Sequence, residues 1–374
     1  MIKYCKTCLF PNTKPDLYFN KNGICDACLS AQKKHGLNNK EKIDWNERKK
    51  DLLTYLNKVK SYKSPYDCIV PVSGGKDSTW QVYAAKNILN LRVLAVTFDQ
   101  FDQTDVGEKN LNILKNIGVD HIHVTMNPII INKLVKKGLE VVGDPYWVNH
   151  VGIFTVPINL ACKFSIPTIL FGENPQFEYG GPETSRDQMT MDKRWRQEFG
   201  GMRGFREEDM VDETISIEDL SMLKYPDDDE IKSANVQAMF LGHFLKWDPL
   251  EHTEFVKTLG WKSLPKPQFG SWLDIENIDM KYVDIRERIK YLKYGYGRAT
   301  DQLNIAIRLN KIGRGQALSI VKKIDGKVDE NNLNDFANYL KISKKELIDT
   351  INSFANRSIF EYQNGDFKEI IERY

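Results

Sequence analysis

The 374-residue chain carries 53 basic and 51 acidic residues, a formal net charge of +2, and 41% hydrophobic residues. That near balance argues against a chain built mainly to coat nucleic acid, and the apolar content supplies a core for two or three domains. No apolar run reaches the roughly 18 residues of a membrane span, and Met1-Ile2-Lys3-Tyr4-Cys5 lacks the apolar segment of a signal peptide, so a cytoplasmic protein with reduced thiols is expected.

The first 40 residues hold four of the six cysteines, as Cys5-x-x-Cys8 and Cys25-x-x-Cys28 with 16 residues between the pairs. This is the spacing of a four-thiolate zinc site, closed and therefore structural. The segment between the pairs is turn-rich and apolar-poor, so metal would have to hold it together. An iron–sulfur cluster is the rival occupant. Cys68 and Cys162 read as small buried hydrophobes. From Glu41 to Lys60 a charged amphipathic helix, with Trp45, Leu52, Leu53, Leu56 and Val59 on its apolar side, is expected to fill a linker over 41–62.

An apolar run, Cys68-Ile69-Val70-Pro71-Val72, reads as a buried strand; Thr79 to Leu89 reads as a helix. Between them lies Ser73-Gly74-Gly75-Lys76-Asp77-Ser78. A glycine turn from strand to helix gathers orphan backbone N–H groups at the positive end of the helix dipole, which is an anion site. Lys76 adds a full charge; Ser73 and Ser78 add hydroxyl donors. The hexapeptide resembles the PP-loop of the ATP pyrophosphatases (S-G-G-x-D-S) and lacks the spacing of a Walker A loop. The resemblance implies that the loop grips the β- and γ-phosphates of ATP as a leaving unit, so that AMP passes to the substrate.

Strands and helices then alternate: a strand over Arg92–Phe98 ending at Asp99, a helix from Val106 to Ile117, a strand over His121–Thr125, helices over Pro128–Leu139 and Tyr146–Phe164, and a strand over Pro167–Phe171 ending at Gly172-Glu173-Asn174. Met239–Phe244 is a candidate fifth strand. The alternation predicts an α/β fold, a mostly parallel sheet with helices on both faces and ligands beyond the carboxyl ends of the strands, where the PP-loop, Asp99 and the Gly172-Glu173-Asn174 turn are expected to converge. This domain is expected over 63–275. It contains a polar, glycine-rich insertion at about 175–229 that reads as a lid or substrate loop. A helical C-terminal domain is expected over 276–374.

Several PP-loop families share the hexapeptide. The remainder of the chain resembles the N-acetyl sugar amidotransferases, the family that includes the pseudaminic acid biosynthesis protein A group. The likeness rests on the four-cysteine knuckle, Pro71–Ser78, Phe171-Gly172-Glu173-Asn174, Lys246-Trp247-Asp248 and Leu292-Lys293-Tyr294-Gly295-Tyr296-Gly297-Arg298-Ala299-Thr300-Asp301. It implies a parallel-sheet, adenine nucleotide alpha hydrolase-like domain that binds ATP and Mg2+, behind a structural Zn2+ knuckle on Cys5, Cys8, Cys25 and Cys28. It implies also that the acetamido oxygen of an acidic sugar bound for a bacterial surface glycan is adenylated and then replaced by ammonia, giving an acetamidino group. Lys76 and the loop amides (Ser73, Gly74, Gly75, Ser78) would stabilise the departing pyrophosphate. Asp77 would hold Mg2+ or orient the loop. Asp99 and Gly172 would border the nucleotide, and Glu173 would bind Mg2+ or steer the nitrogen. Arg298 would grip a sugar carboxylate or phosphate, with Arg186, Arg194 and Arg196 as further candidates for substrate anions and His150 and His243 as the two histidines to test.

No glutaminase nucleophile is evident: residue 2 is Ile2, and Cys162 lacks flanking glycines. The expectation is a separate glutaminase, similar to the histidine-pathway glutaminase and cyclase, that delivers ammonia. Two alternatives stand beside this reading: a tRNA-modifying PP-loop enzyme of the thiolase or lysidine type, and a non-catalytic nucleotide-binding subunit.

Overall fold

The computed structural model describes residues 2–36, 42–60 and 64–370. Met1, Glu41, residues 371–374 and the boundaries expected at 40–41 and 62–63 lie outside them. Five strands form one sheet: β1 (Cys68–Pro71), β2 (Val93–Phe98), β3 (Asp120–Val124), β4 (Thr168–Phe171) and β5 (Gln237–Phe240). The order is β3-β2-β1-β4-β5, and every neighbouring pair is parallel. β2 is buried along its whole length because helices cover both of its faces, and its one polar residue, Thr97, donates to Val72 O at 2.9 Å. β3, at the edge, alternates exposed His121 and His123 with half-buried Ile122 and Val124.

One face of the sheet, with Ile69, Leu94, Val96 and Ile169, packs on the Pro128–Lys137 and Trp147–Phe164 helices and, through Phe336, Leu340, Leu347 and Ile351, on the C-terminal helices. The other face, with Val70, Ala95, Leu170 and Met239, packs on the Trp45–Val59 and Lys76–Tyr83 helices and on Trp247. The chain runs outward from β1 through β2 to β3, then returns to β4 on the other side of β1. The switch point, where α/β folds open a crevice, therefore lies between the carboxyl ends of β1 and β4. Among the described residues no helix is long and apolar enough to cross a membrane.

Two expectations are corrected. The candidate strand Met239–Phe244 is strand only to Phe240; a helical turn follows over Leu241–Phe244, because Gly242 must cross the end of β4, where its N–H bonds Gly172 O at 2.9 Å. The region beyond Asp279 is not helical to its end: Phe360–Gln363 and Asp366–Glu369 (β6 and β7) form an antiparallel hairpin. Its Asn364-Gly365 turn has both φ values positive, the two-residue loop that suits strand twist. The glycine-rich insertion packs onto the main core, where Met191, Trp195, Met202, Met210, Ile215, Leu220 and Leu223 are all buried.

Candidate active site

The PP-loop leaves β1 and enters the Lys76–Tyr83 helix with Gly75 as its cap. Gly74 has φ +89°, and a Cβ there would lie 2.4 Å from Gly107 O, so a side chain is excluded on both counts. Trp261 Nε1 holds the turn by donating to Gly74 O at 2.9 Å. Ser78 Oγ and Thr79 Oγ1 donate to Gly75 O at 3.1 and 2.9 Å. These bonds set the loop before any ligand arrives.

The loop forms one end of a cavity of about 410 Å³ at the switch point. Ser73, Gly75, Lys76, Asp77 and Ser78 line that end, Gly172 and Glu173 come from beyond β4, and Gln100, Asn149 and His150 close the far side. Glu276, Asn277, Asp279 and Arg298 enter from the C-terminal part of the chain. Gly74 lies behind the wall. Asp99 is not brought to the cavity: its carboxylate turns toward β3, 3.1 Å from His123 Nε2 and 3.2 Å from Thr125 Oγ1, and its neighbour Gln100 takes the lining position.

Lys76 is buried, with Nζ 2.8 Å from Asp77 Oδ2 and 3.8 Å from Glu276 Oε1. Burial disfavours its charge, but Asp77 and Glu276 outweigh that and hold the ammonium above its ordinary range. Asp77 shows the converse. Burial would raise it, yet Lys76 and a 3.0 Å bond from His252 Nδ1 keep it well below the usual carboxylate range. His252 is fixed in turn, stacked on Trp80 at 4.0 Å and edge-on to Trp247 at 4.7 Å.

Glu173 behaves otherwise. It is half-buried in the cavity wall, and this burial, reinforced by Asp77 and Glu178, pushes it up to about 8 against the pull of Lys76. Asp279, beside Ser73, is pushed up to about 6 by burial. Glu276 is held ionised instead: Arg298 Nη2 lies 2.6 Å from its Oε2, and with Lys76 it overcomes the effect of burial. One cavity thus holds acids poised to carry a proton at neutral pH and acids locked as anions.

The other candidates fall elsewhere. Arg186 is 4.0 Å from Asp26, Arg194 pairs with Glu198 on the surface, and Arg196 pairs with Asp228 at 2.6 Å. None of the three lines the cavity, nor does His243, which pairs with Asp187. Glu276, Asp279, Asn149 and His252 escaped the reading of the sequence. Glu276 and Asp279 sit in an irregular stretch without periodicity, and His252 acts from beneath the loop, a role that no local pattern marks.

The four knuckle thiols are buried and lie within 4.8 Å of one another, with Cys5–Cys28 and Cys8–Cys25 sulfur separations of 4.0 and 3.6 Å. Sulfurs bound at about 2.3 Å around one tetrahedral ion are spaced about 3.8 Å apart, so this donor set fits a single metal ion. Arg308 Nη2 stands 3.7 Å from Cys8 Sγ, and Arg314 donates to the carbonyls of Cys5 and Cys8 at 3.2 Å, which offsets thiolate charge. The knuckle also braces the cavity. Tyr179, a lining residue, and Tyr296, near Arg298, pack in its core. Lys34 pairs with Glu178 at 2.5 Å, and Arg308 Nη1 donates to Glu178 O at 2.9 Å.

Residues 269–373 match the family model described as LPS biosynthesis protein WbpG-like, C-terminal domain. No curated protein matches the chain. Among solved structures, NMN synthetase from Francisella tularensis is similar at 10% identity and TM-score 0.28, with 61% of this chain and 100% of that one covered. The U34-tRNA thiolase NcsA from Methanococcus maripaludis with its 4Fe-4S cluster is similar at 12% identity and TM-score 0.32, with 88% and 91% covered. Likeness this slight carries no argument about chemistry.

Proposed function

We propose that this chain is an ATP-dependent amidotransferase of bacterial surface-glycan synthesis, working in the cytoplasm on an acidic N-acetyl sugar. One observation carries the reading: a PP-loop lysine and residues of a WbpG-like domain, Glu276, Asn277, Asp279 and Arg298, line the same cavity. The domain name supports lipopolysaccharide synthesis; the PP-loop supports an AMP- and pyrophosphate-forming step.

An amide carbonyl is a poor electrophile because oxide cannot leave. In the proposed reaction the amide oxygen attacks the α-phosphorus of ATP, pyrophosphate departs, and the carbon becomes an O-adenylyl imidate. Ammonia then adds to that carbon and AMP leaves, giving the amidine. Lys76 and the backbone N–H groups of residues 73–78 would stabilise charge growing on pyrophosphate. Asp77, held ionised, would receive Mg2+, which when bound neutralises phosphate charge. Glu173, poised near neutrality, would take the proton that the entering nitrogen sheds. Zinc is the proposed knuckle ion, in a closed structural site.

Ammonia would come from a separate glutaminase of the histidine-pathway kind. Cys162 suits no nucleophilic role, since burial pushes its thiol up to about 11. The test is to incubate the chain with ATP, Mg2+, ammonium and a panel of acetamido uronates. AMP and pyrophosphate should form together, with oxygen replaced by NH in the sugar by mass spectrometry. ADP formation, or turnover without sugar, would refute the reaction. Turnover by the isolated chain on glutamine would refute the partner.

A further inference from the structure

The reaction above leaves one proton without a carrier. The acetamido nitrogen bears a hydrogen, and once the carbonyl oxygen bonds phosphorus that nitrogen takes on positive charge and its N–H turns acidic. A secondary amide is planar, with N–H and C=O pointing to opposite sides. An oxygen that faces the α-phosphorus at the PP-loop therefore turns the N–H away from the loop, toward the side that Gln100, Asn149 and His150 close. Gln100 and Asn149 are carboxamides and cannot take a proton, and Asn149 is committed through Nδ2 to Asp99 O at 3.0 Å. His150 can. The cavity acids poised near neutrality stand elsewhere: Asp279 is beside Ser73 in the loop, and Glu173 follows β4, across β1 from Gln100 at the end of β2.

His150 is held firmly. It lies in the first turns of the Trp147–Phe164 helix, with its backbone N–H bonded to Tyr146 O at 2.9 Å. Gly201 crosses that turn so closely that a Cβ would meet His150 O at 2.2 Å, and Trp147 Nε1 donates to Met202 O at 3.0 Å. The His150 side chain is 21% exposed, and among the described residues Nε2 has no hydrogen-bond partner. Nδ1 is enclosed, 3.2 Å from Asp144 Oδ2, a charge contact rather than an aligned hydrogen bond. Burial would raise Asp144, but Arg203 at 3.0 Å, His150 and Arg286 at 3.4 Å hold it well below the usual carboxylate range. These groups, with the Tyr146 ring 6.5 Å away, surround the imidazole. Burial, aided by Arg286 and Arg203, depresses the imidazole against the pull of Asp144, so at neutral pH the ring is uncharged and open to a proton.

We propose that His150 is a catalytic base, taking the acetamido N–H proton on Nε2 as the carbonyl oxygen is adenylated. This deepens the proposed function and rests on it for the reaction. As the oxygen–phosphorus bond forms and the bond to pyrophosphate breaks, the N–H electron pair becomes the second bond of C=N. The proton passes to Nε2, leaving a neutral imidate and an imidazolium set against the Asp144 anion. Ammonia then adds to the carbon, His150 returns its proton to the sugar nitrogen, and Glu173 takes one from the entering nitrogen. AMP leaves with the electron pair of the C–O bond, and the product is the amidinium.

Exchange of labelled pyrophosphate into ATP, driven by an acetamido uronate and run without ammonium, reads adenylation alone. His150→Gln has a similar shape but carries no proton. It should slow the exchange about 100-fold, the scale of a lost general base, while KM for ATP stays unchanged. His150→Ala should lose as much, and added imidazole should restore it, more so as pH rises and the imidazole loses its proton; lost packing alone would give no such rescue. Should His150→Ala fail to fold, the exchange rate of His150→Gln decides. Exchange as fast as the parent's in His150→Gln, or a folded His150→Ala indifferent to imidazole, overturns the proposal. So does a raised KM for ATP at unchanged kcat, which would make His150 a nucleotide contact. A parent that exchanges with none of the uronates sinks the amidotransferase reading itself, so the two failures are distinguishable.

Discussion

Glu276 is clamped between Lys76 and Arg298, its Oε1 3.8 Å from the lysine Nζ and its Oε2 2.6 Å from the arginine Nη2. One carboxylate therefore ties the PP-loop lysine to the stretch that matches the WbpG-like model, with all three side chains largely shielded from water. A buried pair of this kind contributes little net stability while intact, but removing one partner strands a charge. Arg298→Met should accordingly destabilise the protein by roughly 3 kcal/mol, and Glu276→Gln added to it should recover most of the loss. Denaturant unfolding of the single and double variants checks this; an Arg298→Met variant as stable as the parent would mean that the clamp carries no energy.

The second prediction concerns the residue beneath the loop. Asp77 is ionised and can only accept, so His252 Nδ1 must be the donor in their 3.0 Å bond. His252→Ala would leave Asp77 Oδ1 free to rotate away from its position in the cavity wall. The expected cost is about 10- to 100-fold in kcat with little change in overall stability. His252→Asn, whose amide can donate from nearly the same place, should restore much of it. Equal activities for the Ala and Asn variants would remove the positioning role from His252.

How far the sequence disclosed this arrangement depended on whether the signal was local. β1, the glycine turn and the helix at Lys76 announce themselves because their constraints fall within a dozen residues: apolar run, positive φ, helix start. The cysteine pairs announce themselves by spacing. Asp99 misled because the end of β2 was rightly placed but its side chain answers to His123 on the neighbouring strand, a contact only the sheet register creates. Glu276 and Asp279 were illegible for a related reason. They lie in an irregular stretch and gain their roles from Lys76 and Ser73, some 200 residues earlier in the chain. The Asn364-Gly365 hairpin carries a local signal too, the Asn-Gly turn, which overrides the helical periodicity of the residues before it.

Metal removal should reach the cavity through the knuckle. Tyr179 and Tyr296 pack on the cysteine core, and Glu178 is held by Lys34 and Arg308. Without an ion the four thiols lose their reason to converge, and the wall after Glu173 loses its brace. One metal equivalent per chain is expected by elemental analysis. Cys8→Ser or chelation should abolish it, lower the thermal midpoint and increase proteolytic nicking near 175–186. A metal-free protein with unchanged cleavage and midpoint would show that the knuckle stands without its ion.

The last prediction turns on Asp102, a buried carboxylate that joins the sheet domain to the WbpG-like stretch. It accepts from the Tyr146 hydroxyl and, at 2.8 Å, from Tyr282 N. Burial raises it to about 7; the hydrogen bonds from Tyr146 and Tyr282 oppose that shift, and Asp279 adds to it. The sign follows from proton binding. Between the unfolded value near 3.8 and the folded value near 7, the native state holds a proton that the unfolded chain has lost. Its contribution is fully present below the unfolded value and is lost as pH rises through 7. Glu173 and Asp279, pushed up to about 8 and about 6, titrate across the same range, so the useful quantity is a difference between two proteins. Asp102→Asn keeps an acceptor for Tyr282 N but cannot ionise. The stability of the parent relative to this variant should fall by about 2 kcal/mol between pH 5 and pH 8. Urea titrations at the two pH values measure it. A difference that stays flat, or that grows with pH, would mean that Asp102 remains charged in the fold and that Tyr146 and Tyr282 stabilise it as an anion.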